Sequence, residues 1–429
     1  MTWILSRVLF SLLLLAVGWK VFCQVAALQI SLSTPGIEGA QAAIRWDPDG
    51  PAYYFQLGLI YRDDLKYQDL VASRTNLERA VGLNPYNWQY WLDLGRSYEI
   101  SSLPQEAEQA YLKAVELNPR FAAYRWRLGN FYVRNQQIEK SIPQIQAALS
   151  FDSSYQEAAL DLFSRIGLER EEIEHLWPED RASRLVWVKF LLQKARRKGF
   201  EEGLDSFIEK QWEKLLSGSY PMTVPEGDGY VRHLLQKGLY GQARTRWLQL
   251  ATVNGLRDRS FEAESNLIWN GEFENQMTRG SLDWRLSSGP GFSIIHTQDE
   301  GFDRTRCLRI DFQGTENVKF RNLVQKVIVE PNTTYDFSVQ VRSQEISTEQ
   351  GIFLEIMDDR TGSQLLRTKP ILGTIPWSRY HGSFSVPAGS HLLTVRSRRK
   401  RSRRIDNLLR GTLWLDSISL RATSSQRSD

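Results

Sequence analysis

Residues recur at a spacing of 34 along the first third of this 429-residue chain. Asn84-Pro85 returns as Asn118-Pro119, Ala80 as Ala114 and Ala148, Gly95 as Gly129, and Tyr98 as Tyr132. A fixed period of this size marks an architecture in which one supersecondary unit is copied and stacked. The residue types say which unit. Gly95, Ala107 and Ala114 are small enough to let helix axes approach to about 8–10 Å. The residue before a proline is pushed out of the α region, so Pro85 and Pro119 follow helix ends. Tyr54, Leu57, Gly58 and Tyr61 open an earlier copy, with three extra residues before Ser73, Leu77, Ala80 and Pro85. Leu128, Gly129, Tyr132, Ile145 and Ala148 make a later one, with Ser141 and Ser153 where alanine and proline stand in the middle copy. The period predicts stacked helical hairpins.

The segment Trp91-Leu-Asp-Leu94-Gly95-Arg-Ser-Tyr98, followed by Ala107, Tyr111, Ala114 and Pro119, resembles the tetratricopeptide repeat (TPR). The resemblance implies a curved α-solenoid whose concave face is lined by the first helix of each repeat. It places Phe55, Leu59, Arg62, Leu92, Arg96, Glu99, Trp126, Asn130 and Arg134 in that groove. Aromatic Phe55 and Trp126 beside Arg62, Arg96 and Arg134 suit an extended acidic or aromatic-anchored peptide of a protein partner. The alternative is that these side chains pack on the N-terminal linker or a neighbouring helix. Tyr61, Tyr98, Tyr111 and Tyr132 match core positions. The period fades after Ser153, yet Leu185 to Leu192 and Phe207 to Leu216 keep helical spacing. Tyr230 to Leu250 reads as a last degenerate hairpin. The solenoid is expected over 45–258, interrupted by a Pro/Gly-rich turn from Ser219 to Gly229.

Ahead of the repeats, Arg7 precedes the apolar run Val8 to Trp19, and Lys20 separates it from Val21 to Leu28. Val8 to Leu28 reaches the roughly 20 residues that a bilayer requires, provided Lys20 snorkels. Residues 1–30 are read as an uncleaved single-pass signal anchor and 31–44 as a linker. That places the chain in a bacterial inner membrane with its bulk on the periplasmic side. A cleaved export signal and a buried core helix are the alternatives. Cys23 lacks a lipobox, because Lys20 and Phe22 stand where aliphatic and small residues are needed. With Cys307 it completes a pair, too few for a disulfide framework.

From Ser265 onward the apolar period changes from 3.6 to 2. About nine short β-rich runs follow, at residues 266–269, 292–296, 307–312, 323–329, 334–342, 352–357, 379–386, 391–396 and 412–420. They are separated by turn signals such as Asn270-Gly271, Pro331-Asn332 and Pro387-Ala-Gly389, which predicts an antiparallel β-sandwich. The ordered segments Asn266 to Glu274, Leu282-Asp-Trp284, Leu323 to Ser338, Trp377 to Pro387 and Gly411 to Leu420 resemble the galactose-binding-like, jelly-roll carbohydrate-binding modules. The resemblance spans 264–423 and leaves 424–429 as a disordered tail. It implies that Glu274 and Asp416 hold a structural calcium, whose hard-oxygen preference they suit, or else are ordinary turn carboxylates. It also makes Trp284 and Trp377 core residues. Trp269 and Trp414, the latter set by alternation opposite Leu413 and Leu415, are the candidate glycan platform, and burial in a twisted sandwich is the alternative.

One run stands apart: Arg396, Arg398, Arg399, Lys400, Arg401, Arg403 and Arg404 put seven cations into nine residues between two expected strands. In an exported chain its natural counter-charge is anionic polysaccharide or lipid phosphate. A solvated loop is the alternative, and nucleic acid is not expected, since 54 basic against 50 acidic residues leave the chain at only +4. The five histidines are scattered singly, and there is no Gly-rich phosphate loop, His-Glu-x-x-His pair or Gly-x-Ser-x-Gly elbow. A non-enzyme is expected, needing no cofactor beyond that structural calcium. The combination is similar to scaffolds serving bacterial cell-surface or exopolysaccharide assembly and export. A glycan-binding protein with a helical spacer and a polysaccharide-acting hydrolase are the other readings.

Overall fold

The computed structural model describes residues 2–198, 203–402 and 407–423, and it separates into two compact units, Met1–Val186 and Trp187–Asp429. In the first, α1 (Thr2–Ser33) and α2 (Ile37–Trp46) precede three hairpins: α3 (Pro51–Asp63) with α4 (Leu70–Leu83), α5 (Trp88–Ile100) with α6 (Pro104–Leu117), and α7 (Ala122–Arg134) with α8 (Ile138–Phe151). Then come α9 (Gln156–Arg165), α10 (Arg170–Leu176) and α11 (Arg181–Lys198), within which the unit boundary falls.

Close approach explains the repeated glycines. A methyl group on Gly58 would stand 2.5 Å from Leu77 Cγ, on Gly95 2.8 Å from Tyr111 Cδ1, and on Gly129 2.5 Å from Ile145 Cδ1. Ala107, which faces this contact in the middle repeat, is fully buried. The serines in its place do not leave a buried polar atom unsatisfied. Ser73 Oγ donates to the Gly58 carbonyl at 2.8 Å and Ser141 Oγ to the Gly129 carbonyl at 2.9 Å. A second periodic bond ties each first helix to the turn before it, using three different side chains. Tyr54 OH donates to Pro48 O at 3.1 Å, Trp91 Nε1 to Pro85 O at 2.7 Å, and Arg125 Nε to Pro119 O at 3.4 Å.

Residues 6–33 of α1 are long and apolar enough to cross a membrane, and side chains from Val8 to Phe22 stand in the open, Leu15 at 70% exposure. The 31–44 segment is not the linker expected. It is helical from Ile37, because Ala27, Ala43 and Tyr53 pack into one buried cluster.

In the second unit, α12 (Leu204–Leu216), α13 (Val224–Gln236), α14 (Tyr240–Val253) and α15 (Arg259–Glu262) precede ten strands. These are β1 (Arg285–Leu286), β2 (Phe292–Thr297), β3 (Cys307–Gln313), β4 (Leu323–Ile328), β5 (Thr334–Ile346), β6 (Phe353–Asp358), β7 (Gln364–Arg367), β8 (Gly373–Ser385), β9 (Leu392–Arg398) and β10 (Arg410–Ala422). They form two antiparallel five-stranded sheets, ordered β1-β4-β9-β6-β7 and β2-β3-β10-β5-β8. Leu308, Ile310, Phe337, Val339 and Leu415 from one sheet meet Leu323, Val327, Leu354, Ile356 and Val395 from the other in a single core. The expected strand at Asn266–Trp269 does not form. Instead Asn266 is buried as a clasp: its Nδ2 donates to Ile418 O at 3.1 Å, and its Oδ1 accepts from Leu420 N at 3.0 Å.

The last helical hairpin also departs from expectation. The 45–258 stretch is not one continuous solenoid, because α13 and α14 belong to the sandwich's unit. Trp247 meets Trp269 edge-on at 5.4 Å. Buried Asp228 accepts from both the backbone N–H and the hydroxyl of Ser281, at 2.6 and 2.8 Å.

Candidate functional site

Five of the nine expected groove residues come together. Arg96 and Glu99 from α5 and Trp126, Asn130 and Arg134 from α7 line one open groove of about 490 Å³, with Tyr111, Ala123, Arg127 and Tyr155 completing it. Equivalent faces of successive first helices meet here because 34 residues return the chain to the same angular position. Trp126 lies 5.1 Å from the Tyr155 ring at a 33° tilt, forming an aromatic wall. Asn130 Nδ2 donates to Trp126 O at 2.9 Å. Glu99 is engaged twice, its charge paired with Arg134 Nε at 2.6 Å and its other oxygen accepting from Tyr111 OH at 2.8 Å. Burial, reinforced by this carboxylate, pushes the Tyr111 hydroxyl far above its ordinary value. Arg96 lies 3.7 Å from Asp63. Three guanidiniums therefore stand near two carboxylates, Glu99 held by Arg134 and Asp63 held by Arg62, and Arg127 adds a cation without an ion pair among the described residues.

The other expected groove residues have different work. Phe55 lies 4.7 Å from Tyr90 and packs on a buried cluster, as Leu92 packs on the next one; Leu59 is half-buried. Arg62 is not available to a ligand. It is 4% exposed, with Nη1 on Asp93 Oδ1 at 2.9 Å and Nε and Nη2 on the Asp63 carboxylate at 2.9 and 2.8 Å. Two acids saturate its fork and make it a tie between repeats. Arg127 and Tyr155 were missed, though the period contained a signal for each. Arg127 falls 34 residues after Asp93, reversing the charge at that position, and Tyr155 falls 34 after Phe121.

The sandwich corrects the tryptophan assignment. Trp269, expected as a platform, is 1% exposed and held edge-on between Trp247 and Phe261, because the α13–α15 segment covers it. Trp414 is 4% exposed, with Nε1 donating to Glu300 Oε2 at 2.6 Å and the Arg342 guanidinium 4.2 Å above its ring. Trp284 is buried, its Nε1 donating to Asn270 O at 3.1 Å. Trp377, expected in the core, is instead half-exposed, with Phe302 edge-on at 6.1 Å.

The basic run is not one free loop. Arg396 and Arg398 lie on β9 and pair with Glu355 at 2.6 and 3.1 Å. Arg399 is buried, donating to the carbonyls of Gln350 at 2.7 Å and Val318 at 2.5 Å. Lys400 and Arg401 are exposed, while Arg403 and Arg404 lie outside the described residues, as does the tail at 424–429.

For calcium, the donor set fits in kind. The Thr305 and Arg306 carbonyls and Asp416 Oδ2 all lie within 2.9 Å of the point that a Cβ on Gly301 would occupy. Burial, with Glu274 and Glu272 nearby, pushes the Asp416 carboxyl up to about 6. Among the described residues, however, no three of Asp, Glu, His or Cys gather as a metal cluster. Glu274 accepts the Arg306 backbone N–H at 2.9 Å.

Comparison with known proteins agrees with the helical reading. A tetratricopeptide repeat model matches residues 89–121, which span the α5–α6 hairpin. No curated protein matches the chain. Among solved structures, MamA shares 20% identity over 32% of this chain and 81% of that one, with a TM-score of 0.29. MamA from residue 41 to its end, from Desulfovibrio magneticus RS-1, shares 20% over 27% of this chain and 64% of that one, with a TM-score of 0.25. This chain thus spans less than two thirds of that protein. The xylanase 10B CBM22-1 and GH10 modules from Clostridium thermocellum, complexed with xylohexaose, share 12% over 34% of this chain and 27% of that one, with a TM-score of 0.24. This chain contains a tetratricopeptide repeat, an element whose general role is to hold protein partners.

Proposed function

We propose that this protein is a non-enzymatic, exported scaffold, tethered to a membrane by α1 and holding a partner protein by an acidic, aromatic-anchored peptide in the TPR groove. Cell-surface or exopolysaccharide assembly is the process it serves. The observation that carries the reading is the groove itself: Arg96, Arg127 and Arg134 beside the Trp126–Tyr155 wall, with Glu99 already paired. Guanidinium forks suit carboxylates, and an aromatic wall anchors an apolar side chain. An array of acidic peptides with and without an aromatic residue tests this. Trp126→Ala and Arg127→Ala lower affinity for the retained peptides about tenfold or more; unchanged affinity in both removes the groove from the function.

Calcium bound by Asp416 with the Thr305 and Arg306 carbonyls belongs to the same proposal, as a clamp on the sandwich. Added calcium raises the sandwich's thermal midpoint and chelator lowers it. A midpoint indifferent to both dismisses the metal. A glycan-binding reading draws on one observation, half-exposed Trp377 beside Phe302. Unaltered oligosaccharide retention by Trp377→Ala excludes that pair as the platform.

A further inference from the structure

We propose that the outer face of the β1-β4-β9-β6-β7 sheet binds an extended acidic polysaccharide, a 1,4-linked polyuronate whose carboxylates meet Arg285, Arg396 and Arg367 in turn. The strand register puts these residues there. Arg285 pairs with Val324, Val324 with Arg396, Arg396 with Glu355, and Glu355 with Arg367. Residues directly opposite in antiparallel ladders share a face, so the five form one row across the sheet. Their neighbours Leu323, Val395 and Ile356 point the other way, into the core. The three arginines occupy alternate strands of the sheet order. At about 4.8 Å per strand they recur every ~10 Å. A 1,4-linked uronan extended with two-fold symmetry returns a carboxylate to the same side every second sugar, close to that interval.

Two of the row's three arginines are held in place rather than loosely solvated. Glu355, buried at 4% exposure, anchors Arg396 and its neighbour Arg398. The Arg367 guanidinium lies 3.7 Å over the Phe353 ring. Cations fixed in this way lose little freedom when they bind. Two guanidiniums, Arg396 and Arg398, share one buried carboxylate, and Arg285 and Arg367 are exposed. Arginine forks engage carboxylates bidentately. Single-stranded nucleic acid would require open aromatic faces for its bases, but Phe353 is buried beneath Arg367. A lipid surface would require apolar side chains to insert, and the row's only one, Val324, is half-buried.

The test uses full-length protein in detergent micelles at low ionic strength. Calorimetry and affinity electrophoresis compare β-1,4-linked polyglucuronate (fully oxidised cellulose) with neutral hydroxyethylcellulose. Polyglucuronate is expected to bind and its neutral counterpart not. The Arg285→Gln/Arg367→Gln double variant should lose about tenfold in affinity or more with its melting midpoint unchanged. A charge-matched Arg96→Gln/Arg127→Gln variant, which tests the TPR groove, should keep full polyglucuronate affinity. Absence of binding overturns the proposal. So does equal binding of the neutral polymer, equal loss in both double variants, or stronger capture of the row by phosphatidylglycerol vesicles. The groove's own reading stands or falls separately, on peptide binding.

Discussion

The two units solve the same problem, burying a core, over very different sequence distances. In the repeats the ties are local: Ser73 reaches Gly58, Ser141 reaches Gly129, Trp91 reaches Pro85, and the longer Arg62–Asp93 and Arg134–Glu99 ties span 31 and 35 positions, about one period. In the sandwich Asn266 clasps Ile418 and Leu420, 152 and 154 positions away, and the Phe302 N–H reaches Asp416 across 114. A repeat stack is stabilised as a sum of hairpins and nearest-neighbour interfaces. The sandwich is closed only when the segment ahead of its first strand and its last strand are both in place. Damage should therefore stay near its origin in one unit and spread through the other.

The sharpest way to break this contrast is Trp284→Ala. Removing a fully buried indole from the sandwich core costs about 3–5 kcal/mol, and urea unfolding followed by β-sheet circular dichroism should show one transition displaced as a whole. A split transition would mean that the two sheets are energetically separable. Next is Leu128→Ala, in the α5–α7 cluster, costing about 2–5 kcal/mol. Hydrogen exchange should lose protection across α5–α8 while β3, β5 and β10 keep theirs; loss in the strands would refute locality.

The third prediction concerns acidity. The folded Asp416 carboxyl sits near 6, above its unfolded value of about 3.9. The folded chain thus holds an extra proton between about pH 4 and pH 6, and stability is lost as pH rises through that window. In chelator, the sandwich should weaken by a figure on the order of 3 kcal/mol from pH 4 to 7 relative to Asp416→Asn. Parallel profiles for wild type and variant would dispose of the effect. The smallest change is Trp91→Phe, which removes the bond to Pro85 O and part of a ring packed on the α4–α5 cluster, at a cost on the order of 1–2 kcal/mol. Proteolysis should then speed up at the turn before α5 and nowhere in the sandwich.

Much of the first unit could be read in advance because its contacts repeat with the sequence. Gly58, Gly95 and Gly129 announce three helix contacts, and the period explains why residues of α5 and α7 line one pocket together. Arg62 shows where periodicity runs out. Its position is a groove position, but Asp63 and Asp93, on adjacent first helices, capture it. The strands β2 to β6 and β8 to β10 were visible as alternation and turns. The four-residue β7 carried too short a pattern to see, and Asn266–Trp269 had the composition of a strand without a partner ladder.

The amino-acid order alone determined element type, the 34-residue hairpin unit, the long apolar N-terminal helix and the change to paired strands, since propensity, turn chemistry and side-chain period act within a few residues. Which tryptophans meet solvent, and which cations are free, was settled only by folding. Trp269 disappears beneath α14 and α15, Trp377 remains half-exposed, Arg399 is enclosed by carbonyls, and Arg285, Arg396 and Arg367 fall into one row although 111 positions separate the first from the second. Burial and register depend on segments far apart in the chain, and no local pattern encodes what a distant strand or helix will cover.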